Sequence, residues 1–198
     1  MTMPVLSRRD ALLCLAGMVA GGPSLAATAT AALPGNSIYQ LRPPLTDQDG
    51  HAFDLGSLRG QPVLASMFYS SCQMVCPMIF ETIRQTVAAL GAPDRERVRI
   101  LMVSFDPARD TVAVLKRTAE AHGCDSRWTL ARSDEANSRK VAALLGVQYR
   151  RLADGEFNHS SSIELLDVEG RIIARTSTLG AVDPPLVKTL RQTLATTA

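Results

Sequence analysis

Continuous apolar runs and helix-period patterns alternate along this chain. PVLASMFY, residues 62–69, is apolar at almost every position, which is how a strand reads when both of its faces are covered. From Pro77 to Leu90 the apolar residues Ile79, Ile83, Val87 and Leu90 recur at helical spacing. That spacing predicts a helix with Pro77 in its first turn and Gly91 closing it. VRILMVSF, residues 98–105, reads as a second buried strand, and residues 111–123 as a helix. RWTLA is a short strand, followed by a helix that Ser133 caps and Gly146 ends, with VQYRRL leading out of it. SSIELLDVEGRIIARTS predicts two strands joined by a turn at Glu169-Gly170, and residues 184–195 a terminal helix. Upstream of residue 62, Pro43, Pro44 and the Asp49-Gly50 turn suit an irregular hairpin or edge element. The expected class is therefore α/β: a central mixed β-sheet flanked by helices, with an N-terminal hairpin and an inserted late β-hairpin.

Composition narrows this picture. The chain has 198 residues, 46% of them hydrophobic and 20% charged, enough for one well-filled core. A net charge of +2 gives no electrostatic reason to expect nucleic acid. SRRDALL places Arg8 and Arg9 before an apolar run from Ala11 to Ala20, and small residues follow it. Residues 1–26 are read as a signal peptide of the twin-arginine type, 27–40 as a flexible N-terminal segment, and 41–198 as the domain. The apolar run is shorter than the roughly 20 residues a membrane span needs, so no stable anchor is expected once the signal is cleaved. Of four cysteines, Cys14 lies in the signal, leaving Cys72, Cys76 and Cys124 in an oxidising compartment. An odd number means that one is unpaired, ligating or paired outside the chain.

The chemistry is expected where the first buried strand ends and a helix begins, in SSCQMVCPMIF, residues 70–80. A thiolate at a helix N-terminus is favoured by the dipole and by unpaired N–H groups, so Cys76 is expected to have a depressed pKa, with Cys72 folded over it. Two thiols this close can form a disulfide or hold a soft cation. Zinc in a structural site would want four ligands, whereas Cu(I) is satisfied by two thiolates and an imidazole. Three histidines are available. His51 follows a turn and reads as a loop residue, and His122 reads as a cation at a helix C-terminus. His159 enters a late strand, and spacing alone does not choose among the three.

SSCQMVCP, SFDPARDT and FNHSSSIELLDVEGRI, in this order and separation, resemble the three signature segments of the SCO1/SenC family. The similarity runs from about Leu41 to Leu194. It implies a thioredoxin-like fold and a metal site of Cys72, Cys76 and His159 that binds copper, as Cu(I), Cu(II) or both. It implies a metallochaperone acting in assembly of the copper centre of a respiratory oxidase, which the expected signal would make an exported, periplasmic one. The partners implied are the copper-receiving oxidase subunit and a periplasmic thiol reductant or copper donor. The alternative is a thiol-disulfide oxidoreductase in which Cys72 and Cys76 are the redox-active pair and reduce cysteines of a copper-site partner. The chain departs from the family pattern at Asn158, where Asp usually precedes the histidine, and at Gln73, where proline commonly follows the first cysteine. It also departs in its expected cleavable signal, where familiar members keep an anchor.

Neighbouring residues have plainer explanations. In DPARDT, Asp110 or Thr111 is expected to cap a helix and Arg109 to pair with a carboxylate, with Asp106 as the residue to test near the cysteines. Met78 is expected in the core, Met74 as an apolar contact on the surface, and Cys124 as a small buried hydrophobe.

Overall fold

The computed structural model describes residues 32–197, so the expected signal over residues 1–26 lies outside the described residues. The polypeptide first forms a hairpin of β1 (Leu45–Asp47) and β2 (Ala52–Phe53), then the strand β3 (Val63–Phe68). α1 (Val75–Ala88) and the single turn α2 (Ala92–Arg95) lead to β4 (Arg99–Ser104), α3 (Val112–Ala121), β5 (Trp128–Arg132) and α4 (Glu135–Leu145). A short ribbon of β6 (Tyr149–Arg151) and β7 (Phe157–His159) follows, then β8 (Ile163–Leu166), β9 (Ile172–Thr176) and α5 (Pro184–Thr196).

Seven strands form one sheet in the order β2-β1-β5-β4-β3-β8-β9, in which β3, β4 and β5 pair in parallel with one another and every other pairing is antiparallel. This is the mixed, helix-flanked sheet of a thioredoxin-like fold. β3 pairs with β4 along its whole length, from Val63 opposite Arg99 to Phe68 opposite Ser104, and with β8 on its other edge. All six of its residues are buried, which is why the sequence there shows no alternation. The antiparallel β8–β9 hairpin turns at Asp167–Gly170, as its sequence predicts.

Four local expectations are corrected. α1 holds Pro77 in its first turn as expected, where helix N–H groups have no intrahelical acceptor, but it ends at Ala88; Gly91 does not close it and instead precedes α2 with extended backbone. Asp134, not Ser133, caps α4, its side chain accepting the Asn137 N–H at 2.7 Å, while the Ser133 hydroxyl donates to the Pro44 carbonyl. The β6–β7 ribbon replaces what reads as an exit loop: its strands have three residues each, too few for a period-two pattern to stand out. Finally, packing starts before residue 41, since Ile38–Gln40 form a 3₁₀ turn in which Tyr39 is fully buried.

Gly170 explains how that early segment is held. The Ile38 N–H donates to the Gly170 carbonyl at 2.9 Å, and the Ser37 hydroxyl donates to the Glu169 carbonyl. Gly170 has φ +79°, and a Cβ on it would fall 2.5 Å from the Tyr39 ring. Gly170→Ala therefore adds left-handed strain to a backbone–ring collision, and is expected to destabilise the protein by about 2–4 kcal/mol in urea unfolding. An unchanged midpoint would mean that Tyr39 is not anchored there.

Candidate metal centre

β3 and β4 end side by side, the Phe105 N–H donating to the Phe68 carbonyl at 3.0 Å. The loops beyond these carboxyl ends carry the two cysteines on one side and DPARDT on the other, the usual position for a site in an open α/β sheet. The cysteine loop folds back at once, with the Cys72 N–H donating to the Tyr69 carbonyl at 3.2 Å. No side-chain oxygen caps α1. A sulfur takes that place: the Cys76 N–H points at Cys72 Sγ at 3.4 Å.

Cys76 lies on the stripe of α1 that includes Ile79, Phe80, Ile83 and Val87, and is 3% exposed. Cys72, in the loop, is half-buried. Their acidities therefore reverse the expected order. Burial drives the Cys76 thiol far upward; the Tyr69 N–H opposes this, while negative charge on Cys72 and Asp110 adds to it. Burial also pushes Cys72 up, but the N–H groups of Cys76, Met74 and Val75, with the Cys76 thiol, outweigh it and leave the shift downward. The helix terminus favours the sulfur lying beyond its end, not the one inside its first turn.

The third expected residue ends β7. Its ring contacts the rings of Phe105 (5.2 Å between centroids) and Tyr69 (5.8 Å, edge-on), and its Nδ1 lies 3.1 Å from the Ser160 carbonyl oxygen and the Ser161 hydroxyl. One ligand atom from each of Cys72, Cys76 and His159 can be chosen so that all lie within 4.8 Å of one another. Two sulfurs and an imidazole nitrogen at that separation could converge on one soft cation after small side-chain rotations, since bonds of such ligands are about 2.0–2.3 Å for zinc.

The other histidines are engaged elsewhere. His51 is exposed beside Asp47, 3.3 Å from its carboxylate. His122 does occupy the C-cap of α3, but its ring stacks on Phe80 at 4.0 Å, and burial, then Arg84, push its pKa down. The expected cation at that terminus is thus disfavoured. Cys124 is half-buried against the core, and burial pushes its thiol up to about 12. Met74 is 74% exposed, but so is Met78 at 39%, which corrects its placement in the core.

Within DPARDT, Thr111 is the cap of α3, accepting the Val114 N–H at 3.3 Å. Asp110 is completely buried behind the cysteine loop, accepting the Ser70 N–H at 3.2 Å and the hydroxyls of Ser70 and Ser104. It, rather than Asp106, is the carboxylate whose charge reaches Cys76. Two further residues of the site carried no sequence signal. Tyr69 donates its hydroxyl to Glu156 Oε2 at 2.9 Å; burial, that bond and the adjacent Cys72 all raise its pKa. Both read simply as the end of an apolar strand and a polar loop position.

Exposure and acidity together predict the order of thiol modification. With iodoacetamide and the reduced, metal-free protein, Cys72 is expected to react at least tenfold faster than Cys76 or Cys124, followed by peptide mass spectrometry, because it is half-buried where Cys76 is buried and is the one of the three whose thiolate is favoured. Faster labelling of Cys76 would contradict the geometry.

Known proteins share this fold. A Bradyrhizobium japonicum protein, ScoI, solved with copper bound, superposes with a TM-score of 0.66 at 29% identity, over 77% of this chain and 98% of that one. A SCO1/SenC family lipoprotein of Bacillus anthracis gives 0.69 at 21% identity, over 77% and 93% of the two chains, a likeness of fold. A Stutzerimonas stutzeri protein whose name assigns it copper binding is 28% identical over 121 residues, 58% of this chain and 59% of that relative's length. The SCO1/SenC family profile matches residues 36–194, a stretch that starts with the segment packed by Tyr39 and contains the whole sheet and all three clustered residues. The chain belongs to the SCO1/SenC family.

Proposed function

We propose that this protein is a copper metallochaperone that holds one copper ion as cargo between Cys72, Cys76 and His159. The observation that carries the reading is the approach of two sulfurs and an imidazole to within 4.8 Å at the end of β3 and β7. Thiolates suit Cu(I) and select against the hard cations. A half-buried Cys72 beside a buried Cys76 leaves the ion reachable from one side, so an incoming thiolate can displace one ligand at a time. The copper-bound ScoI relative and the relative named for copper binding support this choice of metal. We assign the protein to assembly of the copper centre of a respiratory oxidase, with the copper-receiving subunit as recipient; relatives bearing the Sco name are described as cytochrome c oxidase assembly proteins. Export to the periplasm, by the twin-arginine signal read in residues 1–26, goes with this role. Among the described residues no helix is long and apolar enough to cross a membrane.

Asn158 has a definite consequence in this reading. It is exposed, opposite Arg150 in the ribbon, and places no carboxylate beside His159. A neutral neighbour weakens attraction for the doubly charged ion more than for the singly charged one. Asn158→Asp is expected to raise Cu(II) affinity more than Cu(I) affinity, measured by competition with chelators at one pH. Equal changes for both ions would remove charge as the explanation.

The central test is the histidine. Reduced protein is expected to bind about one copper per chain and to show sulfur-to-copper charge-transfer bands as Cu(II). His159→Ala should abolish those bands while leaving Cys72 and Cys76 able to form a disulfide. Unchanged bands and affinity in that variant would sink the three-ligand centre.

A second reading has its own support, the thiolate-favoured sulfur of Cys72 next to the Cys76 thiol. In it the Cys72 thiolate attacks a partner disulfide and expels one partner thiolate. Cys76, deprotonated, then attacks Cys72 Sγ, closing the Cys72–Cys76 disulfide and releasing the second partner thiolate. The partner gains two electrons and this pair loses them. A periplasmic thiol reductant must then restore the pair. Cys76→Ser is expected to trap the mixed disulfide through Cys72; no trapped partner and no turnover with a dithiol donor would count against this activity.

A further inference from the structure

The β6–β7 ribbon shares no ladder with the seven-stranded sheet, and a lone two-stranded hairpin is marginally stable in water. His159, its last residue, therefore takes its position from whatever docks the ribbon. One attachment is aromatic and lies near the histidine. Tyr149 stacks on Phe105 at 4.8 Å, and Phe157 meets Phe105 and Tyr69 at 5.1 Å each. These ring pairs prefer offset and edge-on geometries, but they hold the ribbon by apolar packing and not by hydrogen bonds to its backbone.

A second attachment is polar and lies at the far end of the ribbon, roughly 10 Å from His159 at strand rise per residue. Its turn is closed by the Leu152 N–H to the Glu156 carbonyl at 2.7 Å and the Gly155 N–H to the Leu152 carbonyl at 3.1 Å. Arg109, from the loop after β4, grips this turn. Its Nη2 donates to the Gly155 carbonyl at 2.7 Å, its Nη1 lies 3.6 Å from Glu156 Oε1, and its Nε donates to the Asp106 carboxylate. Asp106 is itself 2% exposed and accepts no slack, its N–H held by the Ser104 hydroxyl at 3.0 Å. The guanidinium also lies 6.0 Å and 5.8 Å from the ring centroids of Tyr69 and Phe157. Through Glu156, whose other oxygen accepts the Tyr69 hydroxyl, the grip continues to the phenol beside Cys72.

We infer that Arg109 is a positioning residue for the metal centre: by clamping the β6–β7 turn to Asp106, it fixes His159 against Cys72 and Cys76. The inference rests on the three-ligand reading above and assigns to DPARDT a role that capping and ion pairing do not cover. Only a planar fork of five donors can meet a carbonyl, a carboxylate and a second carboxylate at once; a lysine ammonium reaches one of them at a time. With the clamp gone, the aromatic docking still holds the ribbon near the sheet, but the imidazole samples positions away from the sulfurs.

The test compares wild type, Arg109→Lys, Arg109→Gln, His159→Ala and Arg109→Gln/His159→Ala in the full chain. In the metal-free protein, both Arg109 variants are expected to speed amide exchange at Leu152, Gly155 and Ser160 while leaving β3 and β4 protected. Cu(I) affinity, measured by chelator competition, should fall on the order of 10–100-fold, as for groups that orient metal ligands. In the His159→Ala background the same substitution should matter by less than about twofold, because its effect passes through the imidazole. An equal loss with and without His159 overturns the inference, as does full affinity in both Arg109 variants when His159→Ala alone weakens binding. If His159→Ala itself leaves affinity and bands unchanged, the three-ligand reading has failed and the clamp's purpose with it. Should Arg109→Gln lower the urea midpoint, Arg109→Lys keeps the charge and carries the comparison.

Discussion

The parallel pairing of β3 with β4 is the constraint on which the site depends. Both strands are covered by the sheet's helices and neighbours, and they run out together, at Phe68 and Ser104. Two loops thus leave the sheet from one edge at adjacent points. One must turn immediately into α1, which brings Cys72 to the helix terminus and Cys76 into its first turn. The other carries Phe105, Asp106, Arg109 and Asp110, each facing a different part of the same region. Shifting either strand by one residue would exchange its buried and opposing faces and separate these groups.

Burial then divides labour between two chemically identical side chains. Cys76 is one of the apolar contacts of α1 as much as it is a thiol, and its proton is held tightly by desolvation. Cys72 is outside the helix, where the N–H groups that have no carbonyl partner converge on it. A pair of this kind has one sulfur ready to react and one held in reserve, which serves stepwise ligand exchange and stepwise disulfide exchange equally well. The imidazole is what differs between the two chemistries, because thiol exchange has no need of it. His159 is brought in on a ribbon outside the ladder of the main sheet, so the place of the third side chain depends on the docking by Phe105, Tyr69 and Arg109.

Buried polar groups around the centre keep its backbone in place. Asp110 ties Ser70, at the head of the cysteine loop, to Ser104, at the end of β4. Burial raises its pKa, offset in part by the hydroxyls of Ser104 and Ser70. Glu164, fully buried on β8 just beyond the serine run, accepts from the Ser162 hydroxyl at 2.5 Å and from Arg175 at 2.6 Å. Arg175 also donates to the Leu145 carbonyl at the end of α4. Both sides of the ribbon are therefore attached to fixed points, and the ribbon spans the gap between them.

Local sequence was sufficient wherever one strong periodicity or one turn residue dominated. The uninterrupted apolar runs determined β3 and β4, the spacing of Ile79, Ile83 and Val87 determined α1, and Glu169-Gly170 determined the last hairpin. The two segments containing Cys72 and Cys76 and His159 were legible too, though only their joint resemblance with SFDPARDT, not spacing, singled out His159 among three histidines. Tertiary structure decided the rest, because each outcome depends on residues distant in the chain. Which cysteine is acidic follows from which one α1 buries. Asp110, not Asp106, bears on Cys76 because Ser70, in the loop after β3, and Ser104, at the end of β4, both hydrogen-bond to it. The ribbon of β6 and β7 exists because Phe105, Tyr69 and Arg109 receive it, and three-residue strands have no pattern of their own to announce that contact.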